Sequence, residues 1–191
     1  MDKNNQDQIQ AVINKLQKGN QDFVTTEKNN GDVSQMVRIK NVQAGQKPDA
    51  VVVTCSDSRV PPEHIFSAGI GELFVIRTAG NVIGDFELGS IEYAVGHLGT
   101  SLVLVMGHNH CGAVASAMEG HGHGYIKAIL EEIQPAIAGE ENVGKCENLN
   151  IDNSIKRILQ SETINRLIRE GTVKVLGAKY NLESGTVEFF G

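Results

Sequence analysis

A chain of 191 residues, 40% hydrophobic and 21% charged, can bury one sizeable core and is too apolar to stay disordered. Its 17 Lys and Arg against 23 Asp and Glu leave a net charge of −6, which is not the basic footprint of a nucleic-acid binder. The three cysteines, Cys55, Cys111 and Cys146, are too few and too odd in number for a disulfide scaffold, so they read as thiols or metal ligands.

Residues 1–10 are polar where a secretion or transit signal would be apolar or Arg-rich, and no apolar run is long enough to span a bilayer. The expectation is a cytoplasmic protein with no membrane contact. Ile9, Val12, Ile13 and Leu16 then recur at helical spacing, and Met36, Val37 and Ile39 follow a polar stretch. Residues 1–45 therefore predict an arm of one or two amphipathic helices that must pack on the body or on a partner subunit. The pattern changes near residue 50. Segments 50–55, 73–76, 101–107 and 172–176 are short, continuous runs rich in Val, Ile and Leu, as parallel strands buried on both faces require. Between them, 86–97 follows a Gly-Asp turn and 112–118 opens directly after the third strand, both as helices. Residues 151–169 carry Ile151, Ile155, Ile158, Leu159, Ile164, Leu167 and Ile168 on one side of a single long helix. Asp152 lies early in it, Arg166 and Arg169 late, and Gly171 stops it. Residues 119–125 and 139–147 read as loops, and 179–191 as a strand, a turn at 183–185 and an antiparallel edge strand at 187–190. This alternation predicts an α/β fold with a central, mainly parallel sheet flanked by helices. It forms one domain over 1–191, with residues 46–191 as its core.

Ligands of open parallel sheets bind beyond the carboxyl ends of the strands. Two such ends here carry metal-binding side chains: Cys55-Ser56-Asp57-Ser58-Arg59 after the first strand and His108-Asn109-His110-Cys111-Gly112 after the third. Neighbouring strands lie about 5 Å apart, so Cys55, His108 and Cys111 can converge. Two thiolates and one imidazole suit zinc, and three protein donors leave its fourth position to water, as in catalytic sites. Taken alone, H-x-x-C equally suits a His and a Cys packed as ordinary residues at strand ends. Zinc on two thiolates is charge-neutral and a weak Lewis acid, so another group must orient the water. Asp57 can accept a hydrogen bond from it or take the fourth position itself. Arg59 can hold Asp57 off the metal in a bidentate pair, with an extended C-x-D-x-R placing all three residues on one side. His110 reads as an outward non-ligand, His121 and His123 as loop residues or proton carriers, and Cys146 as having no catalytic part. Asp85, Glu87, Tyr93 and His97 read as cap, helix surface and core.

C-S-D-S-R-V-P at 55–61, G-E-L-F-V-I-R at 71–77 and G-H-N-H-C-G-A-V at 107–114, in that order within about residues 46–118, resemble the β-class carbonic anhydrases. The resemblance implies one Zn2+ per subunit on Cys55, His108 and Cys111, with Asp57 and Arg59 as the catalytic dyad. It implies reversible hydration of CO2 to bicarbonate and a proton by attack of zinc-bound hydroxide. It also implies a homodimer or higher homo-oligomer whose amino-terminal helices wrap the partner, and gives Gln46 the role of hydrogen-bonding bicarbonate. Some members are inhibited by bicarbonate in a side pocket built in part from a Trp and an Arg. Val52 and His64 stand near those positions and the chain has no Trp, which favours water on zinc with Asp57 paired to Arg59. Two other functions suit the same residues. One is hydrolysis of carbonyl sulfide or carbon disulfide, linear apolar electrophiles like CO2. The other is a non-catalytic zinc-stabilised interaction protein, which would want a fourth protein ligand. The Cys-to-Arg spacing is too short for a phosphatase loop, and neither G-x-G-x-x-G nor C-x-x-C is present.

Overall fold

Short, continuous aliphatic runs become the centre of the sheet in the computed structural model, which describes residues 3–190. What the sequence predicts for residues 1, 2 and 191 lies outside the described residues. In chain order the elements are α1 (Lys3–Thr26), α2 (Gln35–Ala44), β1 (Ala50–Cys55), α3 (Pro62–Ile65), β2 (Leu73–Thr78), a 3-10 turn (Ala79–Asn81), α4 (Asp85–Gly96), β3 (Leu102–His108), α5 (Gly112–Glu119), α6 (Ile126–Ile137), α7 (Val143–Ile158), α8 (Glu162–Arg169), β4 (Lys174–Tyr180) and β5 (Val187–Phe190). The sheet order is β2-β1-β3-β4-β5; all pairs are parallel except β4 with β5. Every residue of β1 and β3 is buried, which is why both read as unbroken apolar runs. The chain leaves β1 for β2 on one side and returns to β3 on the other. The carboxyl ends of β1 and β3 therefore open at the switch point of the sheet.

Strand alternation divides the core into two layers. Val52, Leu104 and Leu176 pack with Ile9, Ile13 and Leu16 of α1. Val51, Val53, Val103 and Val105 pack with Ile91, Ile151, Ile158 and Ile164 on the other face. The apolar stripe of α1 thus covers the sheet of its own chain, one of the two packings expected of the arm. Helix α2 buries none of its residues and leaves Met36, Ile39 and Val42 exposed. Among the described residues, no helix is long and apolar enough to cross a membrane.

Lys15 ties α1 to the strands, its Nζ lying 2.7 Å from both Asp49 Oδ2 and Glu72 Oε1. Burial lowers the Lys15 pKa, but the two carboxylates outweigh it and leave it raised. Burial likewise opposes the ionisation of Glu72, and Lys15 leaves its pKa lowered. The Lys15 contribution is full below the ordinary lysine pKa of about 10.4 and lost as pH rises through the folded value; that of Glu72 is full above about 4.3 and lost as pH falls through its folded value. Lys15→Met should therefore lower stability fully between those limits, and progressively less as pH passes the folded values beyond them, by under about 1 kcal/mol for so exposed a cluster. Urea unfolding across the pH range checks this.

Several boundaries differ from expectation. The long helix at 151–169 is two, because Ser161 Oγ accepts from Ile164 N–H at 3.1 Å and starts α8 afresh. The loop expected at 139–147 ends at Asn142, which caps α7, so that helix begins well before residue 151. The strands expected at 172–176 and from 179 are one strand, β4, running through Gly177. Helices α3 and α6 had no counterpart in the sequence reading; α6 buries Leu130, Ile133 and Ile137. Gly84, not Asp85, caps α4, and Tyr93 and His97 are exposed and stacked on each other instead of lying in the core. Close contact of α7 with β3 depends on Gly107, where a Cβ would stand 2.6 Å from Ile151 Cδ1. Gly107→Ala should cost about 1–3 kcal/mol in urea unfolding, because Ile151 is fully buried and cannot give way freely.

Candidate metal centre

Cys55 ends β1, His108 ends the adjacent β3, and Cys111 caps the amino end of α5, so pairing of two strands brings together residues far apart in sequence. The donor atoms of the three all lie within 4.8 Å of one another, and the three residues are 5%, 1% and 2% exposed. His108 Nδ1 lies 2.8 Å from the Asn109 carbonyl, which can only accept, so Nδ1 carries the proton and Nε2 presents a lone pair. Nε2 is buried and has no hydrogen-bond partner. An unpaired buried acceptor of this kind costs about 1–3 kcal/mol, and a cation among the three donors removes that cost. The sulfurs point the same way. Hydrogen bonding from Cys111, opposed by burial and aided by the Gly80 N–H, holds the Cys55 thiol down to about 4. The same shared proton and burial push Cys111 up. A divalent cation displaces that proton and takes both sulfurs as thiolates. The donor set therefore fits zinc.

Beyond Cys55 the chain turns, with Val60 N–H donating to the Asp57 carbonyl at 3.0 Å. This replaces the extended C-x-D-x-R of the sequence reading. The turn folds Arg59 back onto Asp57: Nε donates to Oδ1 at 2.9 Å, Nη2 to Oδ2 at 2.7 Å, and the Arg59 backbone N–H to Oδ1 at 2.9 Å. The guanidinium holds the Asp57 carboxyl well below the usual carboxylate range, against a smaller opposing effect of burial. Asp57 Oδ2 lies 3.9 Å from His108 Nε2, at the edge of the donor group and outside it.

Arg77, at the end of β2, donates from Nε to the Cys55 carbonyl at 3.1 Å and from Nη2 to the Asp57 carbonyl at 2.6 Å, fixing the loop that carries both. His110 faces outward, its Nε2 3.0 Å from Glu183 Oε1, and Cys146 is buried away from the donor group. His121 and His123 are exposed in the loop after α5. Gln46 is exposed and precedes β1, whereas the donors lie off its far end. Six extended residues of strand separate the two ends, about 17 Å at roughly 3.3 Å per residue, so the structure does not bring Gln46 to the site of its own chain.

Sequence reasoning passed over a further group. Gly80 N–H donates to Cys55 Sγ at 3.3 Å from a turn in which Gly80 has φ +66°, and a Cβ there would stand 2.9 Å from Ala113 and Ile133. Glu147, Asn150 and Ser154 of α7 are buried polar residues close by. The signal that could have found them is polar residues recurring on the apolar face of a helix, but it is visible only once that helix is started at Val143.

Comparison with known proteins gives one family. The family model described as Carbonic anhydrase matches residues 50–187. Carbonic anhydrase 2 of Mycobacterium tuberculosis is 36% identical over 186 residues, covering 92% of this chain and 89% of that protein. A carbonic anhydrase of Mycolicibacterium smegmatis is 38% identical over 162 residues, 79% of each chain. Among solved structures, a tetrameric β-carbonic anhydrase of Sordaria macrospora superimposes with a TM-score of 0.74 at 27% identity, covering 82% of this chain and 87% of that one.

Proposed function

Because the chain belongs to the β-class carbonic anhydrases, we propose that it hydrates CO2 reversibly to bicarbonate and a proton, with one Zn2+ per chain held by Cys55, His108 and Cys111. The observation that carries this reading is a set of three buried donors among the described residues, not the four of a closed structural site, with a clamped carboxylate at its edge. Zinc, when bound, supplies the Lewis acidity that makes a water nucleophilic near neutral pH.

The remaining work falls to the chain itself. Asp57, kept anionic by Arg59, accepts a hydrogen bond from the attacking water and fixes its direction. Two donors on Oδ1 and one on Oδ2 hold the carboxylate in a single orientation. CO2 has little polarity to grip, so this orientation matters more than tight substrate binding. Gln46 serves bicarbonate only if a second copy of the chain presents it, since it lies off the wrong end of β1. The description of the Sordaria relative as tetrameric, and the exposed Met36, Ile39 and Val42, support a homodimer or larger assembly. Reduced metal thiolates suit the cytoplasmic location expected from the sequence.

Initial rates on CO2 and on carbonyl sulfide, measured on one zinc-loaded sample, test the reading. CO2 should be the faster substrate. Faster attack on carbonyl sulfide would make the protein a hydrolase of that class, and inertness with zinc fully bound would leave the zinc a structural part.

A further inference from the structure

Helix α7 presents Glu147, Asn150 and Ser154, at positions i, i+3 and i+7, on one buried face. Burying three polar residues on the face of a helix that packs against the sheet is unfavourable unless each has a partner. Their partners lie around the two sulfurs. Asn150 Nδ2 donates to the Gly80 carbonyl at 2.7 Å. Ser154 Oγ donates to the Asn81 carbonyl at 2.8 Å and accepts from Asn81 Nδ2 at 3.2 Å. Asn81 is itself buried and left-handed, with φ +49°, a conformation a non-glycine residue keeps only when its surroundings hold it there. The turn so gripped aims Gly80 N–H at Cys55 Sγ. On the other side of the donor group, Glu147 Oε1 accepts from Cys111 N–H at 3.4 Å while Oε2 pairs with Lys179 Nζ at 2.7 Å. Asn150 leaves its own Oδ1 without a partner, so its burial serves the donation to Gly80 and not its own satisfaction.

We infer that Glu147, Asn150 and Ser154 are positioning residues of the metal centre: from one face of α7 they fix the place and the donor strength of both thiolates without touching the ion. An N–H bond to a thiolate withdraws charge from it, so a turn that drifts changes both the geometry and the softness of the Cys55 ligand. The inference rests on Cys55, His108 and Cys111 being the zinc donors.

The test compares Asn150→Leu and Ser154→Ala with Ile158→Val, a core substitution on the same helix whose side chain lies in the apolar layer. Zinc affinity is read by competition with a chromophoric chelator, and the sulfur-to-metal charge-transfer band is read on the Co2+-loaded proteins. Asn150→Leu should lose about 10- to 100-fold in affinity and shift the band. Ser154→Ala should lose less, in the same direction, and it decides the matter if Asn150→Leu does not fold. Ile158→Val should leave both readouts unmoved. If the polar variants bind zinc as tightly as Ile158→Val, with an unshifted band, the stripe is merely structural and the inference fails. If the unaltered protein binds neither metal, the donor assignment fails first and takes the inference with it.

Discussion

His108→Ala should leave the purified protein with little zinc and no CO2 hydration above background. The side chain contributes the one nitrogen of the donor set, buried without a hydrogen-bond partner, and its removal leaves two sulfurs alone. Removing an outer partner of a metal ligand typically costs about 10- to 100-fold in affinity, so loss of a ligand should cost more than about 100-fold. Cys55→Ser should behave the same way. Elemental analysis gives zinc per chain and stopped-flow indicator assays give the rate, and the two should fall together. Full zinc content in His108→Ala would remove the imidazole from the donor set. Chelation of the unaltered protein should reproduce the loss of activity and also lower the unfolding temperature, since an ion bound only by the native state stabilises it by mass action.

Asp57→Asn should separate what His108→Ala removes together. Asp57 lies outside the donor group, so zinc content should stay at the level of the unaltered protein. The amide, however, turns an N–H toward the guanidinium of Arg59 in place of an acceptor, and the clamp opens. The rate should fall by about 10²- to 10³-fold, the scale of losing one preorganised polar group at a reacting centre. Arg59→Lys should fall between, because an ammonium supplies charge without the two parallel donors. An Asp57→Asn enzyme of full rate would end the role given to that carboxylate.

The residues with the clearest physical signature in the sequence were those of the central strands and the donor group. β1 and β3 are buried on both faces, so their runs are continuous, and a candidate metal ligand ends each. What the sequence hid depended on partners distant in the chain. The sequence pattern starts α7 too late because its first turns carry Glu147 and Asn150, polar residues that look like a loop until their partners around Cys55 and Cys111 are known. The Asp57–Arg59 pair was legible, but for the wrong local reason: a turn at Asp57–Val60, not an extended segment, brings the two together. The role given to Gln46 rests on resemblance alone, and no local feature of the sequence ties it to the donor group.

The order of the strands also sets a timetable. Cys55 leaves the ribosome early, but the other two donors follow only after β2 and α4, and they reach Cys55 only when β3 inserts on the opposite edge of β1 from β2. An unfinished chain ending before β3 offers a single thiol. If zinc is held as proposed, its uptake would be a late event in the life of the molecule, and metal retention would mark chains whose central strands have paired correctly.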